Sequence, residues 1–167
     1  MLRSIRPGTI SLLALCGALG LAACGDSAPG TVVGDAYIVL ETGQEVSFGG
    51  LRVGLVPEDE ALDTMLARLC PRRDAAAGAD SAARETAWGR RAQLLSQRAR
   101  RTVTATAAAQ FFIDTVAPGE YRVWADTAYG GTRWTWLQPV RVRSGDTVRV
   151  NLSNANPDEN PFRCPSE

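Results

Sequence analysis

Apolar and polar residues alternate along most of the chain from residue 102 to residue 153, and a period of two is typical of β-strands that bury one face. The alternation is clearest on both sides of the Ala-Pro-Gly sequence at 117–119, which favours a tight turn between two strands. The predicted strands cover 36–41, 51–56, 102–107, 111–116, 120–127, 132–142 and 146–153, with a short one at 46–48.

Between residues 57 and 101 the period lengthens, and this change predicts two helices inserted between strands as a hairpin. The acidic residues 58–60 suit the N-terminus of the first helix, because the helix dipole favours negative charge there. The second helix is predicted over 81–98, with Asp80 in position to cap it. The inward stripes are Leu62, Met65, Leu66 and Leu69, and then Ala87, Trp88, Ala92, Leu95 and Ala99.

Short strands separated by turn signals predict a mainly β protein, an antiparallel β-sandwich with the helical hairpin inserted at about 57–101. Pro139 has no backbone N–H, so the strand at 132–142 is predicted either to lie at a sheet edge or to be split. The expected core residues are Phe111, Ile113, Val116, Tyr121, Val123 and Ala125 in one half, and Val148, Val150 and Leu152 in the other.

Residues 1–23 have the pattern of a bacterial export signal, with Arg3 and Arg6 before an apolar stretch too short to span a membrane. The stretch ends in Leu-Ala-Ala-Cys, which resembles the lipidation site of bacterial lipoproteins. The resemblance implies cleavage before Cys24 and lipid on its sulfur, whereas a plain secretory signal would leave Cys24 incidental. Because Gly25 and not Asp follows, the outer membrane is favoured over the inner one.

The predicted organisation is a signal peptide at 1–23, a lipidated tether at 24–35, the sandwich with its insertion at 36–153 and an irregular tail at 154–167. Loss of Arg3 and Arg6 with the signal peptide leaves 16 Arg against 18 acidic residues, a net charge of −2. This balance argues against a nucleic-acid partner.

Two further cysteines remain in the mature chain, Cys70 and Cys164. Exported proteins meet an oxidising environment, so we predict a disulfide between them, which would close a loop of 93 intervening residues. The alternative is two unrelated thiols, one of them in the tail. On the chain-entropy model such a cross-link contributes about 4 kcal/mol to stability.

The chain contains no His, which excludes Ser-His-Asp and Cys-His catalysis and any imidazole acid or base. The paired carboxylates at 58–60 are more typical of a helix start than of a general acid and base. We therefore predict a protein that is not an enzyme, with no cofactor and no metal site.

Two groups of residues are candidates for a binding surface. Trp134 and Trp136 stand two apart in a predicted strand and so project from one face. Exposed, they and Tyr129 would form a flat platform for a sugar ring or an apolar partner; buried, the tryptophans would belong to the core. The second group is a set of arginines near the end of the second predicted helix. They form either a solvent-exposed helix C-terminus or a binding site for an anion: Arg90, Arg91, Arg98, Arg100 and Arg101.

The stretch FFIDTVAPGEYRVWA at 111–125 resembles the carboxypeptidase-regulatory-like, transthyretin-like modules of bacterial surface proteins. The resemblance implies a transthyretin-like sandwich and says little about function. In one departure, the family's hairpin glycine falls on Ala109, so the turn between Thr106 and Phe111 is expected to use another geometry. The matching positions are Phe111, Ile113, Val116, Pro118, Gly119, Tyr121 and Val123.

Together these features predict a cell-envelope β-sandwich outside the cytoplasm, anchored to the membrane through lipid on Cys24, with a structural or interaction role. Its expected partner is an envelope protein or a glycan. The alternative is a carbohydrate-binding module that uses Trp134 and Trp136.

Overall fold

The structure is a computed structural model that describes residues 27–70, 81–156 and Phe162. Two helices, α1 Glu60–Arg68 and α2 Ser81–Arg98, follow the first four strands and precede the other five. The strands are β1 Gly30–Asp35, β2 Tyr37–Val39, β3 Glu45–Ser47, β4 Arg52–Pro57, β5 Arg101–Thr104, β6 Gln110–Val116, β7 Gly119–Tyr129, β8 Thr132–Val142 and β9 Thr147–Arg149.

The strands form two layers. One layer is a four-stranded antiparallel sheet in the order β5-β4-β7-β8, and the other is a three-stranded sheet in the order β6-β1-β9, extended by the β2–β3 hairpin. Strand β9 runs parallel to β1, and the parallel pairing continues to a bridge between Ala36 and Leu152. The predicted mainly β sandwich with an inserted pair of helices is therefore confirmed.

The main core lies between the two layers and contains the residues that the alternation predicts. The six residues expected for one half are all buried there, and Leu152 from the other half is also buried. Val148 and Val150 are partly buried at the margin of the same cluster. The strand period therefore located the inward faces of β6 and β7 correctly.

The helices cover the opposite face of the four-stranded sheet. Strands β4 and β7 are thus covered on both faces, so Gly54 and Trp124 are buried beneath α2 while their neighbours face the main core. A Cβ at position 54 would lie 2.8 Å from the Trp124 ring and 3.3 Å from Ala99, so glycine permits the close approach of α2. Within the described residues, no helix combines the length and apolar composition needed to span a bilayer. The second core cluster comprises Val56, Leu62, Leu66, Leu95, Trp124 and Leu137.

The inserted helices agree closely with prediction. The bounds of α2 are the predicted 81–98, and α1 begins after Asp59, whose side chain caps it by accepting from the N–H of Leu62 at 2.7 Å. Leu62 and Leu66 are buried, as their spacing predicts. Asp80 lies outside the described residues.

Strand β1 corrects the predicted tether, which was expected to extend to residue 35. Its inward positions include Gly30 and Gly34, which lack the apolar side chains that would reveal a strand in the sequence. A Cβ on Gly34 would lie 1.7 Å from the carbonyl oxygen of Val150, so the close approach of the backbone at Val150 requires glycine at position 34. The segment between Cys24 and the sandwich is therefore limited to residues 25–29.

Two local expectations are also resolved. Strand β8 runs unbroken through Pro139 and lies at the edge of its sheet. Of the two alternatives predicted for Pro139, the edge strand is therefore confirmed and the split strand is not.

The expectation of another geometry at Ala109 is wrong, because Ala109 itself adopts the left-handed conformation that glycine favours, with φ of 60°. The turn is held by the N–H of Ala109 donating to Thr106 and by the Ala109 carbonyl accepting from Ala36.

The two ends of the sandwich differ in what they contain. The N-terminal end holds the start of β1, where the carbonyl of Ala28 accepts from Gly145 and the N–H of Thr31 donates to Asp146. The opposite end, called here the distal end, holds the β7–β8 turn at 130–131 and the loop at 48–51. The 11 residues of β7 connect the two ends, a span of about 33 Å at roughly 3.3 Å per residue.

Candidate functional site

The two tryptophans of β8 lie against the main core. Trp136 has no exposed surface, and its Nε1–H donates to the carbonyl of Ser153 at 3.0 Å. Trp134 is half-buried and stacks on Trp136, with ring centroids 6.3 Å apart and planes inclined by 16°. A fully buried indole offers no face to a ligand, so the predicted platform on Trp134 and Trp136 is corrected: Trp136 belongs to the core.

Tyr129 is the exposed aromatic residue of the distal end. Its side chain is 41% exposed, and its ring meets the edge of Phe48 at 6.3 Å, while Phe48 in turn packs on Trp136 at 5.8 Å. The other large exposed apolar side chain of the described residues, Phe112, lies on the opposite sheet. Tyr129 therefore presents one ring and not the three-residue platform that the sequence suggested.

The predicted basic group does not form one surface. Arg91 is largely buried, with its guanidinium 5.7 Å from the Phe162 ring centroid, whereas Arg98 pairs with Asp59 at 2.8 Å. Arg101 begins strand β5 and is exposed. Because these side chains have different surroundings, they do not converge on a common site for an anion.

A four-residue staple fixes α2 to the edge strand β8. The guanidinium of Arg133 lies 3.9 Å above the Trp88 ring, and its Nε–H donates to Glu85 at 2.6 Å. The Nε1–H of Trp88 donates to the hydroxyl of Thr135 at 2.9 Å. The staple holds the charged group of Arg133 and the Trp88 indole in fixed positions on the helix-covered face of the sheet.

A row of polar side chains crosses all four strands beside this staple. Arg52 pairs in register with Thr104, and Asp126 pairs with Thr135. Strands β4 and β7 are antiparallel, and Val53 pairs with Ala125. Arg52, which precedes Val53, is therefore a cross-strand neighbour of Asp126, which follows Ala125. Thr104, Arg52, Asp126 and Thr135 thus form one row on the helix-covered face, and we refer to them as the Asp126 row.

The carboxylate of Asp126 is unusual within this row. It is half-buried, and this burial raises its pKa above the ordinary 3.8, although the charges of Arg133 and Arg52 act in the opposite direction. No described residue donates a hydrogen bond to the carboxylate or lies within ion-pair distance of it. The guanidinium of Arg52 is exposed and likewise has no such partner among the described residues.

Other charged residues beneath the helices are paired. Arg122 of β7 forms ion pairs with Glu58 at 2.9 Å and with Asp63 at 2.7 Å, and Asp59 pairs with Arg98. These pairs join α1 to the sheet and to α2. They leave Asp126 as the half-buried acid of this face that has no described partner.

Sequence reasoning did not single out Asp126 or Arg52. Because side chains alternate along β7, Asp126 lies on the opposite face of the strand from Val123 and Ala125. The sequence therefore does indicate that Asp126 faces away from the main core. The register that sets Arg52 beside it depends on two strands about seventy residues apart, which no local pattern reveals.

Two predicted site residues lie outside the described part of the chain. These are Cys24, with the whole signal peptide, and Cys164. Cys70 is described and follows the end of α1. Lipid attachment and the Cys70–Cys164 disulfide therefore stay predictions. Within the described residues, no group of three or more acidic or Cys side chains is placed to hold a metal ion.

Comparisons with known proteins give a distant likeness in shape only. No protein-family model and no curated protein matches the chain. A Pseudomonas aeruginosa protein proposed to bind carbohydrate aligns at 16% identity over 79% of this chain and 92% of its own, with a TM-score of 0.49. The minor pilin of Streptococcus agalactiae aligns at 10% identity over 75% of this chain and 44% of its own, with a TM-score of 0.43.

The major pilin subunit of Bacillus cereus aligns at 9% identity over 75% of this chain and 30% of its own, with a TM-score of 0.39. This chain thus spans less than half the length of either pilin. At such identities and TM-scores the likeness assigns neither family nor function. The resemblance to carboxypeptidase-regulatory-like modules stays an expectation.

Proposed function

We propose that this protein is a non-enzymatic lipoprotein of the cell envelope that holds a rigid β-sandwich close to the membrane and presents its distal end to a partner. The observation that carries the proposal is the juxtaposition of the lipidation motif ending at Cys24 with a first strand that begins at Gly30. Diacyl or triacyl modification of Cys24 would make a stable anchor, since a single acyl chain binds membranes only marginally.

The shortness of the link orients the module. Residues 25–29 span at most about 20 Å when fully extended, so the N-terminal end of the sandwich would stay near the lipid headgroups. The turns at 117–119 and 143–146 share that end with Gly30. The distal end, with Tyr129 and the loop at 48–51, would then stand about 33 Å farther from the membrane.

Rigidity supports a presenting role. Each layer of the sandwich is buried against the next, and the helices are attached to the sheet by ion pairs at one end and by the Trp88–Arg133 staple at the other. A body held in this way has no hinge between its anchored end and its distal end. The distal end would therefore keep a fixed position relative to the anchor. Binding then costs little conformational entropy.

A disulfide between Cys70 and Cys164 would complete this attachment. Phe162, two residues before Cys164, packs against the cluster of Leu66 and donates its N–H to Thr135 at 2.6 Å. Cys70 follows α1 one turn after Leu66. Phe162 and Cys70 therefore both lie beside the helices, and this supports a link that fastens the C-terminal tail and α1 to each other.

The absence of His from the chain supports a role without catalysis, because acid–base and nucleophilic sites at neutral pH most often rely on imidazole. Several acidic groups near the helices have structural partners: Glu58 and Asp63 pair with Arg122, and Asp59 caps α1. The signal-peptide pattern supports export, and Gly25 after Cys24 supports the outer membrane.

Fractionation of cells that express the full-length protein tests the proposal. We expect the wild-type protein in the membrane fraction, labelled by metabolic palmitate, and a Cys24→Ala variant without label. A Cys16→Ala variant is the matched control, because Cys16 lies inside the predicted signal peptide. Label that persists in Cys24→Ala, or a wild-type protein without label in the cytoplasm, would refute the anchor.

A further inference from the structure

Two neighbouring groups of the Asp126 row, an acceptor and a donor, have no partner among the residues that the structure describes. Asp126 and Arg52 lie side by side on β7 and β4, yet they are not within ion-pair distance of each other, and neither has another described partner. We propose that the Asp126 row, bordered by Trp88, is a binding site for a neutral sugar or polyol, recognised through adjacent hydroxyl groups.

Asp126 lies half-buried with no hydrogen-bond donor among the described residues. Taking a carboxylate partly out of water without a compensating hydrogen bond is unfavourable. Elsewhere on the same face the chain makes such bonds, since Arg133 binds Glu85 and Arg122 binds Glu58 and Asp63. An acid and an Arg that lie side by side, neither with a partner among the described residues, can both be satisfied by an external ligand.

The charges around the row restrict the ligand. A cation would meet Arg52 and Arg133, and an anion would meet Asp126. A neutral hydroxyl group avoids both repulsions, because it donates to a carboxylate and accepts from a guanidinium at the same time. Two adjacent hydroxyls can bridge Asp126 and Arg52, with the hydroxyl of Thr104 next in the row as a further donor and acceptor.

Trp88 and Arg133 give the site a fixed border on its other side. The Nε1–H of Trp88 is bonded to Thr135, so the indole is held at the end of the row. Arg133 lies over the Trp88 ring and is bonded to Glu85, which prevents it from swinging onto Asp126. The border of the site is therefore fixed before a ligand binds.

The row also faces the environment in which a partner would be met. Arg52 and Thr104 are exposed, and Asp126 lies three residues before the end of β7 at Tyr129, in the distal half of the sandwich. This inference rests on the interaction role proposed above. It does not rest on the lipid anchor, because the row is complete within the folded domain.

Amide chemical-shift titration of the full-length protein in detergent tests the site. The probes are D-glucose, D-galactose, D-mannose and N-acetyl-D-glucosamine at millimolar concentrations, with acetate and glycine as charged comparisons. We expect at least one sugar to shift the signals of Arg52, Thr104 and Asp126 in a saturable manner. Arg52→Gln and Asp126→Asn should each weaken its binding about tenfold or more, the usual effect of losing a hydrogen bond to a charged group.

Matched controls make the same chemical changes elsewhere. Arg101→Gln and Asp114→Asn alter exposed residues of β5 and β6, and binding should not change. Thr104→Val removes an exposed hydroxyl and keeps the inference testable if another variant fails to fold. The inference is overturned if no sugar gives saturable shifts, if the shifts lie away from the row, or if acetate or glycine binds there more tightly than every sugar. None of these outcomes bears on palmitate labelling, so the two proposals fail separately.

Discussion

Arg98, the last residue of α2, donates to the carboxylate of Asp59, the N-cap residue of α1, at 2.8 Å. One side chain thereby caps one helix and binds the end of the other. The N–H of Leu62 and the charge of Arg98 together hold the pKa of Asp59 below its ordinary value of 3.8. The start of α1 and the end of α2 are joined at this carboxylate, so the hairpin closes against the sheet.

Replacing Asp59 should therefore loosen the hairpin. Asp59→Ala removes the cap and the ion pair, and we expect the melting temperature at pH 7 to fall by about 2–5 °C, while Asp59→Asn, which can still cap, should lose less. The contribution is complete above pH 3.8 and disappears as pH falls through the lowered folded-state pKa, so the variants should converge with wild type in acid. Asp114→Ala, at an exposed position of β6, is the control and should leave the melting temperature nearly unchanged. Equal melting temperatures for wild type and Asp59→Ala at pH 7 would show that the cap has no role.

Replacing Asp126 should have the opposite effect on stability at pH 7 from replacing Asp59. Burial raises the pKa of this carboxyl, so the ionised form is disfavoured in the folded state, and the penalty appears as pH rises above 3.8. Asp126→Asn should accordingly raise the free energy of unfolding at pH 7 and lose that advantage in acid, measured by denaturant titration. A destabilising effect at pH 7 would mean that the attraction of Arg52 and Arg133 outweighs burial. Asp114→Asn, at an exposed position, should show little change.

Ala109 carries a backbone conformation that suits glycine better. Its φ of 60° costs an L-residue about 1–2 kcal/mol, offset in part by the greater flexibility of glycine in the unfolded chain. We expect Ala109→Gly to stabilise the protein by about 0.5–1 kcal/mol in a denaturant titration. Ala108→Gly in the same turn, where φ is not positive, should be neutral or destabilising. Destabilisation by Ala109→Gly would contradict the assigned turn.

The disulfide is tested by counting thiols. In the oxidised protein, denatured without reductant, neither Cys70 nor Cys164 should react with a thiol reagent, and both should react after reduction. Reduction should lower the free energy of unfolding by up to about 4 kcal/mol, because the link closes a long loop. The double variant Cys70→Ala with Cys164→Ala should match the reduced protein. Reactivity of Cys70 before reduction would refute the link.

Prediction from the sequence succeeded where one structural period persists over a whole element. The alternation along 111–125 placed Phe111, Ile113 and Val123 in the core, and the helical stripe predicted a helix over about 81–98, where α2 lies. Local periodicity is sufficient in β6 and α2 because each buries one face and leaves the other exposed. The same reasoning missed β1, whose inward positions at Gly30 and Gly34 carry no side chain to reveal a buried face.

The candidate site was harder to predict because it depends on register between distant segments. The spacing of Trp134 and Trp136 is compatible with an exposed platform and equally with a core strand. In the structure the Trp136 indole N–H donates to the carbonyl of Ser153 in the interior. Asp126 and Arg52 come together only through the pairing of β4 with β7. No sequence motif marks such a pair, whereas the resemblance of Leu-Ala-Ala-Cys to a lipidation site lies in four consecutive residues and needs no register.

Lipid attachment at Cys24 can be measured as the mass of the N-terminal peptide. Protein extracted from membranes should begin at Cys24, and its first peptide should carry the added mass of a diacylglyceryl group and, where the amine is also modified, a further acyl chain. Lipase or alkaline treatment should remove the ester-linked chains. A mature N-terminus elsewhere, or an unmodified Cys24 in protein purified from the membrane, would show that the module is not anchored through lipid on Cys24.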